Sequence, residues 1–502
     1  MVLRKTIISQ SNTRQALWVG VSSMSSFLVG LLTSIIFSRY FEKQDYGTYK
    51  QIIFIYTILL SLFSAGLPKV YSYFLPKLSL AQGRQVLNKL TNLFFLMGLV
   101  FSIFMYLASG TIAILLRNPD LDHALKLFSV VPLLMMPTMG VEGVYAAIRK
   151  THILAIYTTL TRLGMFFIIV LPVILLKGTY ETAIYGWMIS SLLILILALY
   201  FKYRPFKIAG FERGTVTYRR ILAYSLPLMF ATLAGVAIRF ADQFFISRYY
   251  GTEAFADYSN GFIPLPFVPM ITGAIHAVFV PLFSRYHEKA NGEVLISNSW
   301  RSGVSKAVIL IYPILIFFVI FAKEVINILF GPTYDESTIY FRLAMIRDLS
   351  SPFLFYSILL ATGRTDIYAK IHVVFAILIW FLGFIVCKIS DLSVYYVILS
   401  VFLVILSRTV GLIASSRTIN TSLFKMLDIS SIFKIFAVAI GSGLISKLLA
   451  DWIVEDQVIR LIMGGSIYAG LMFLSDKILR LKILETAISV IKKESVKDMA
   501  EK

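Results

Sequence analysis

SRYFEKQDYGTY, residues 38–49, closes the first long apolar run, and SRYYGTEAFADY, residues 247–258, repeats much of it 209 positions later. Ser, Arg and Tyr match at the start, aromatics match at 41/250 and 46/255, and Tyr matches at the end, all without a gap. A second echo follows: AIRKTHILA at 147–155 resembles ATGRTDIYA at 361–369, at an offset of 214. Two marks in one order, at nearly one offset and each at the end of an apolar run, indicate a duplicated unit. About five residues are inserted between the marks of the second copy.

The composition decides what kind of unit is duplicated. Of 502 residues, 58% are hydrophobic and only 15% charged, against about a quarter charged in soluble domains, and the mean hydropathy is +0.81. Such a chain cannot cover its surface in water, so lipid is part of its solvent. Walking the chain gives about fourteen runs long enough to span a bilayer. The first six lie near 17–38, 51–73, 91–116, 121–145, 151–176 and 181–203. The next six lie near 219–248, 255–284, 303–322, 337–361, 367–387 and 393–416, and a last pair near 430–450 and 458–478. If the last pair is misread, the count is twelve. The runs do not alternate as barrel strands would, so the spans are helices.

Charge sets the orientation. With the N-terminus in the cytoplasm, about 31 of the 47 Lys and Arg fall on inside segments, which fits the positive-inside rule with both termini cytoplasmic. The net charge of +20 is therefore read as topology and not as a nucleic-acid signal. The expected organisation is an N-terminal lobe over 1–204, a cytoplasmic linker over 205–218, a C-terminal lobe over 219–417, and an extra helix pair with a basic tail over 418–502. An offset of about six spans, an even number, makes the halves parallel. The repeated phrase is then the interfacial turn that ends the first helix of each half. Arg39 and Arg248 there can reach lipid phosphate or water, although the turn also reads as plain architecture.

Several chemistries are excluded. The single cysteine, Cys387, allows no internal disulfide. The five histidines lack metal-ligand spacing. There is no GxxxxGK[ST] phosphate loop and no catalytic triad or carboxylate pair, so no cofactor and no enzymatic activity are expected.

What the chain does carry is charge at membrane depth. Glu142 falls in span four, Arg162 in span five, Arg239 and Asp242 in span seven, Arg342, Arg347 and Asp348 in span ten, and Arg408 in span twelve. Each Arg facing lipid would cost about 2.5–3.5 kcal/mol, so these groups face protein or a wet cavity. Arg239 and Asp242, three apart, share a helix face and can partly neutralise each other. Arg347 and Asp348, adjacent, are expected to point apart and need other partners. Arg342 and Arg408 can snorkel. Glu142 is expected to pair with Arg149 or Lys150, and Asp242, Asp348 and Glu142 are the groups able to couple transport to an ion. The net positive balance suits a phosphorylated cargo, with Arg162, Arg239, Arg347 and Arg408 as candidate contacts. Span eight, GFIPLPFVPMITG, holds Pro264, Pro266 and Pro269; it predicts a broken helix with Asn260 beside a cavity.

The DYGTYKQ phrase, the span YSLPLMFATLAGVAIRFADQFFISRYY and the small polar turns after spans four and ten resemble the bacterial polysaccharide flippases of the multidrug/oligosaccharidyl-lipid/polysaccharide (MOP) exporter superfamily. The resemblance covers essentially the whole chain through diffuse hydropathy patterns. It implies an all-α integral membrane fold of about 14 helices, MATE-like, with two six-helix lobes and a C-terminal pair. It also implies export of undecaprenyl-diphosphate-linked oligosaccharide across the bacterial inner membrane by alternating access. Membrane lipids and polysaccharide polymerase and chain-length machinery are the implied partners. The rivals are a flippase for the peptidoglycan lipid precursor and a proton- or sodium-coupled drug antiporter. The antiporter reading is disfavoured because span one contains no acidic residue.

Overall fold

The computed structural model of the protein describes residues 12–207, 216–479 and 481–486. The basic segments at 1–11, 208–215 and 487–502 lie outside the described residues. Helices account for all the regular structure described, and twelve of them are long and apolar enough to cross a membrane. The other two expected spans are a 44-residue helix, Tyr218–Gly261, and a pair of short helices over 337–361. The chain forms two compact units, residues 1–256 and 257–502. Their lipid-facing helices expose large apolar side chains such as Leu107, Ile114, Leu175, Ile389 and Trp452.

The first unit contains α1 (Asn12–Tyr40), α2 (Lys43–Phe63), α3 (Pro68–Phe74), α4 (Leu80–Leu116), α5 (Asp120–Phe128), α6 (Val130–Met135), α7 (Val141–Ala147), α8 (Thr151–Leu175) and α9 (Tyr180–Tyr203), with α10 (Tyr218–Gly261) as far as Ala256. The repeated phrase is a helix junction in both copies. α1 ends at Tyr40 and α2 begins at Lys43; 209 positions on, α10 turns sharply at Gly251, where φ is 88°. The two phrases also touch. Gln51 Nε2 donates to Ser247 Oγ at 2.8 Å, and Asn118 Nδ2 donates to Gln51 Oε1 at 2.6 Å and to Thr48 Oγ1 at 3.0 Å. All four residues are buried, so the hydrogen bonds replace water that cannot enter. The phrase thus closes a buried polar knot, and its Arg248 caps α4 by donating to Ile114 O at 3.1 Å.

Spans two and four are not continuous, contrary to the runs expected at 51–73 and 121–145. α2 stops at Phe63, the chain passes through Ala65 and Gly66 at φ 48° and 69°, and α3 restarts at Pro68. Span four breaks into α5, α6, a 3-10 turn at Met136–Thr138 and α7. Pro137 at the break cannot donate, and Gly140 at φ 96° supplies a conformation most side chains avoid.

The second unit contains α11 (Phe267–His287), α12 (Gly292–Ile320), α13 (Ala322–Phe330), α14 (Ser337–Leu349), α15 (Phe355–Ala361), α16 (Thr365–Ile389), α17 (Ser393–Thr418), α18 (Leu423–Met426), α19 (Ile429–Ile453) and α20 (Gln457–Leu479). The proline stretch of span eight is broken as expected: residues 262–266 are non-helical between α10 and α11. The second echo holds at both ends of two helices. α7 and α15 are related by 214 positions, as are α8 and α16, and the intervening turns carry Arg149 at φ 54° and Gly363 at φ 74° at aligned positions. Buried Glu324 on α13 anchors the last pair through Lys447 of α19 and, at 3.8 Å, Arg460 of α20. Gly443 lets α19 approach Ile320 closely.

The junction between the repeated phrases has a direct test. A Cβ on Gly47 would fall 2.3 Å from the carbonyl oxygen of Thr252, whereas one on Gly30 would meet nothing within 4 Å. Gly47→Ala is expected to destabilise the protein by about 1–3 kcal/mol and Gly30→Ala to be neutral or slightly stabilising, read as thermal midpoints in detergent.

Candidate functional site

The backbone breaks of spans two and four open onto one cavity of about 760 Å³ inside the first unit. α1 contributes Ser22, Ser23 and Ser26; α3 contributes Pro68, Lys69 and Ser72; the span-four break contributes Thr138, Met139, Gly140 and Glu142; α8 contributes Tyr157, Thr158, Thr161 and Arg162. Irregular backbone survives at membrane depth only where it lines such a space or is covered by protein. The cavity holds two cations, Arg162 and Lys69, against one carboxylate, Glu142. Among the described residues none of the three has an ion-pair partner. The expected pairing of Glu142 with Arg149 or Lys150 is not formed. α7 ends between them, and the left-handed turn at Arg149 redirects the chain while Glu142 opens into the cavity.

The hydroxyls on the wall have a defined polarity. Ser26 donates to Ser22 O at 3.0 Å, Thr138 to Met135 O at 2.7 Å and Thr161 to Tyr157 O at 2.8 Å. Their protons are used by the backbone, so their oxygens present lone pairs. A donor-rich ligand such as a sugar meets acceptors there, while an anionic one finds its charged donors at Arg162 and Lys69.

The cavity wall is held by a group the sequence reading passed over. Lys202, near the end of α9, is fully buried, and its Nζ donates to Pro137 O and Met139 O, each at 3.0 Å. These are carbonyls left without helical partners by the break. The ammonium also lies 5.3 Å from the Tyr71 ring centroid and 5.6 Å from that of Phe94. Tyr71 lies flat on the break because Gly140 and Gly143 have no side chains: a Cβ on Gly140 would fall 2.0 Å from its ring.

The remaining candidates lie elsewhere. Arg239 is exposed on α10 with its guanidinium 5.9 Å from the Phe240 ring, and Asp242 is buried. Asn260 is fully buried in the second unit, just before the proline break. Arg347 and Asp348 do not point apart: Arg347 Nε donates to Asp348 Oδ1 at 3.0 Å, because the long Arg side chain folds back across the last turn of α14. The same guanidinium stacks 4.4 Å from the Phe262 ring. Arg408 donates to Arg347 O at 3.0 Å and to Ser350 and Ser351, satisfying the C-terminal end of α14. Arg342 does the same for α12 through Val319 O at 3.2 Å. Both complete helix ends. Among the described residues no group of three or more His, Cys, Asp or Glu side chains is placed to hold a metal.

A family model described as polysaccharide biosynthesis protein matches residues 13–287, more than half the chain. The chain belongs to the polysaccharide biosynthesis protein family. An uncharacterized membrane protein of Methanocaldococcus jannaschii is 21% identical over 390 residues, covering 70% of this chain and 74% of that protein. Among solved structures, the lipid II flippase MurJ in an inward closed conformation aligns with a TM-score of 0.63 at 14% identity, over 92% of this chain and 99% of that one. An inward-facing multidrug resistance MATE transporter of the MOP superfamily aligns at 0.60 and 13% identity, over 80% and 98%. The fold is therefore the one seen in these solved structures, in line with the MATE-like fold that the sequence resemblance implied.

For this family member, Lys69, which lines the cavity, and Lys202, which holds its wall, are the residues missed in the sequence. Lys69 carried a readable signal, a lone cation after Gly-Leu-Pro inside an apolar run. Lys202 did not, since it reads as the first cation of the basic linker. Lys202→Ala is expected to cost about 2–4 kcal/mol, because two buried carbonyls lose their donor and a void opens. Chemical denaturation in detergent measures it, with exposed Lys207→Ala as the silent control.

Proposed function

We propose that the protein is a flippase that moves an undecaprenyl-diphosphate-linked oligosaccharide across the cell membrane by alternating access, for surface polysaccharide assembly. The observation that carries the reading is the pair of cations, Arg162 and Lys69, facing a hydroxyl-lined cavity at membrane depth without an acidic partner. An unpaired guanidinium is costly there, and a ligand with compensating charge accounts for its retention. A diphosphate has the right charge and geometry, because Arg binds phosphate oxygens through a planar fork and Lys adds a point charge. The volume lies within the roughly 300–1,000 Å³ usual for ligand sites, enough for the head and a first sugar.

The family's description supports a polysaccharide cargo. The fold similarity to a lipid II flippase supports a second reading in which the glycan is a peptidoglycan precursor; the cationic cavity serves either lipid diphosphate. The drug antiporter reading is weaker, since a cationic drug would meet net positive charge. In this reading the head enters from the cytoplasmic side, and Glu142, which lines the same cavity, is the group able to tie an ion gradient to release.

Reconstitution in liposomes tests this. Flipping of an undecaprenyl-diphosphate oligosaccharide is expected to fall at least about tenfold in Arg162→Glu and severalfold in Lys69→Ala. Arg39→Ala, at the membrane interface, is expected to flip normally. Wild-type rates in both cavity variants would remove the basis of the proposal.

A further inference from the structure

The duplication carries the first unit's cavity positions into the second unit, where the residues at those positions have different chemistry. α7 and α8 match α15 and α16 at a register of 214 at all four helix ends. Carrying the cavity positions across that register gives Tyr356 for Glu142, Ser357 for Gly143, Tyr368 for Leu154, His372 for Thr158 and Ala376 for Arg162. The two ionic positions are thus replaced by an aromatic ring and a methyl group.

These substitutes are assembled in space. His276 of α11 lies with its ring centroid 4.3 Å from that of Tyr356, and its Nδ1 is 2.8 Å from Ser357 Oγ. Tyr368 and His372 form a second pair at 4.2 Å, with His372 Nδ1 3.0 Å from Tyr368 O. All four rings are half-buried, so each pair keeps an open face. In both histidines the internal bond uses Nδ1 and leaves Nε2. Among the described residues the Tyr356 and Tyr368 hydroxyls have no hydrogen-bond partner either.

We infer that Tyr356, Tyr368, His276 and His372 form a glycan subsite in the second unit. The inference rests on the lipid-linked oligosaccharide reading above. Flat aromatic faces pack against the C–H faces of pyranose rings, and neutral groups that donate or accept match sugar hydroxyls without demanding charge. An organic cation would also favour aromatic faces. However, Arg408 lies within electrostatic reach of Tyr356, and its positive charge opposes one. A phosphate is disfavoured because Arg408 and Arg347 are already engaged with protein groups.

Binding to the full chain in nanodiscs tests the subsite, with undecaprenyl diphosphate and the same lipid carrying a neutral trisaccharide as probes. Wild type is expected to bind the glycosylated lipid about tenfold more tightly. Tyr356→Ala and Tyr368→Ala should erase that difference and leave the bare lipid unaffected, while Tyr368→Phe, which keeps the ring and the fold, should retain most of it. Arg162→Glu should weaken both lipids alike. Equal binding of the two lipids by wild type, or equal loss of both in the tyrosine variants, overturns the subsite. No effect of Arg162→Glu on either lipid, with the sugar-dependent gain intact, overturns the diphosphate reading instead.

Discussion

The Lys202 ammonium between the carbonyls of Pro137 and Met139 is the contact on which the first unit's cavity depends. A helix that breaks inside a membrane exposes carbonyls to a solvent that cannot bond them. Span four breaks at Pro137 and Gly140, and the break is what makes room for a cavity. A single buried cation with two acceptors and two aromatic faces makes that opening tolerable. The same side chain thus holds the cavity wall in shape, one layer behind the lining that carries Arg162 and Lys69.

The arginines of the second unit show the contrast. Arg342, Arg347 and Arg408 also fall within spans read from the sequence, yet each is consumed by the protein: two cap helix ends and one folds onto its neighbouring aspartate. Desolvation is met internally in each case, so none of the three creates a demand for an external anion. Arg162 has no such arrangement and faces open volume. Placement in an apolar span alone therefore does not separate an arginine engaged by the protein from one that faces open volume; the partner does.

That distinction explains how far the sequence could be read. Hydropathy and length located most membrane helices, because an apolar run of twenty residues has few alternatives. The echoes at 38/247 and 147/361 marked real junctions, since turn chemistry is local and survives duplication. The proline cluster at 264–269 was legible for the same reason. The break in span two was not, because Ala65 and Gly66 adopt positive φ without any proline in the gap itself. Arg347 and Asp348 were misjudged because Cβ directions on a helix differ by a residue's rotation, whereas a long guanidinium can reach around the turn. Lys202 was hidden because its role is set by carbonyls sixty-odd positions away.

Duplicated backbones with unlike side chains have a physical rationale if the cargo is the lipid-linked oligosaccharide proposed above. The turns at Arg149 and Gly363 match in conformation, so the scaffold requirement is held in common. The side chains at the following helix positions then diverge, Arg162 against Ala376 and Thr158 against His372. A charged head demands fixed opposite charge, which would bind a neutral glycan no better. A glycan is served by ring faces and neutral hydrogen-bonding groups, which would hold a diphosphate poorly. One chemistry copied into both units would leave half the cargo without a match. Two chemistries on one register let each part be held by weak, separately reversible contacts, which is what a passage that must also release its load requires.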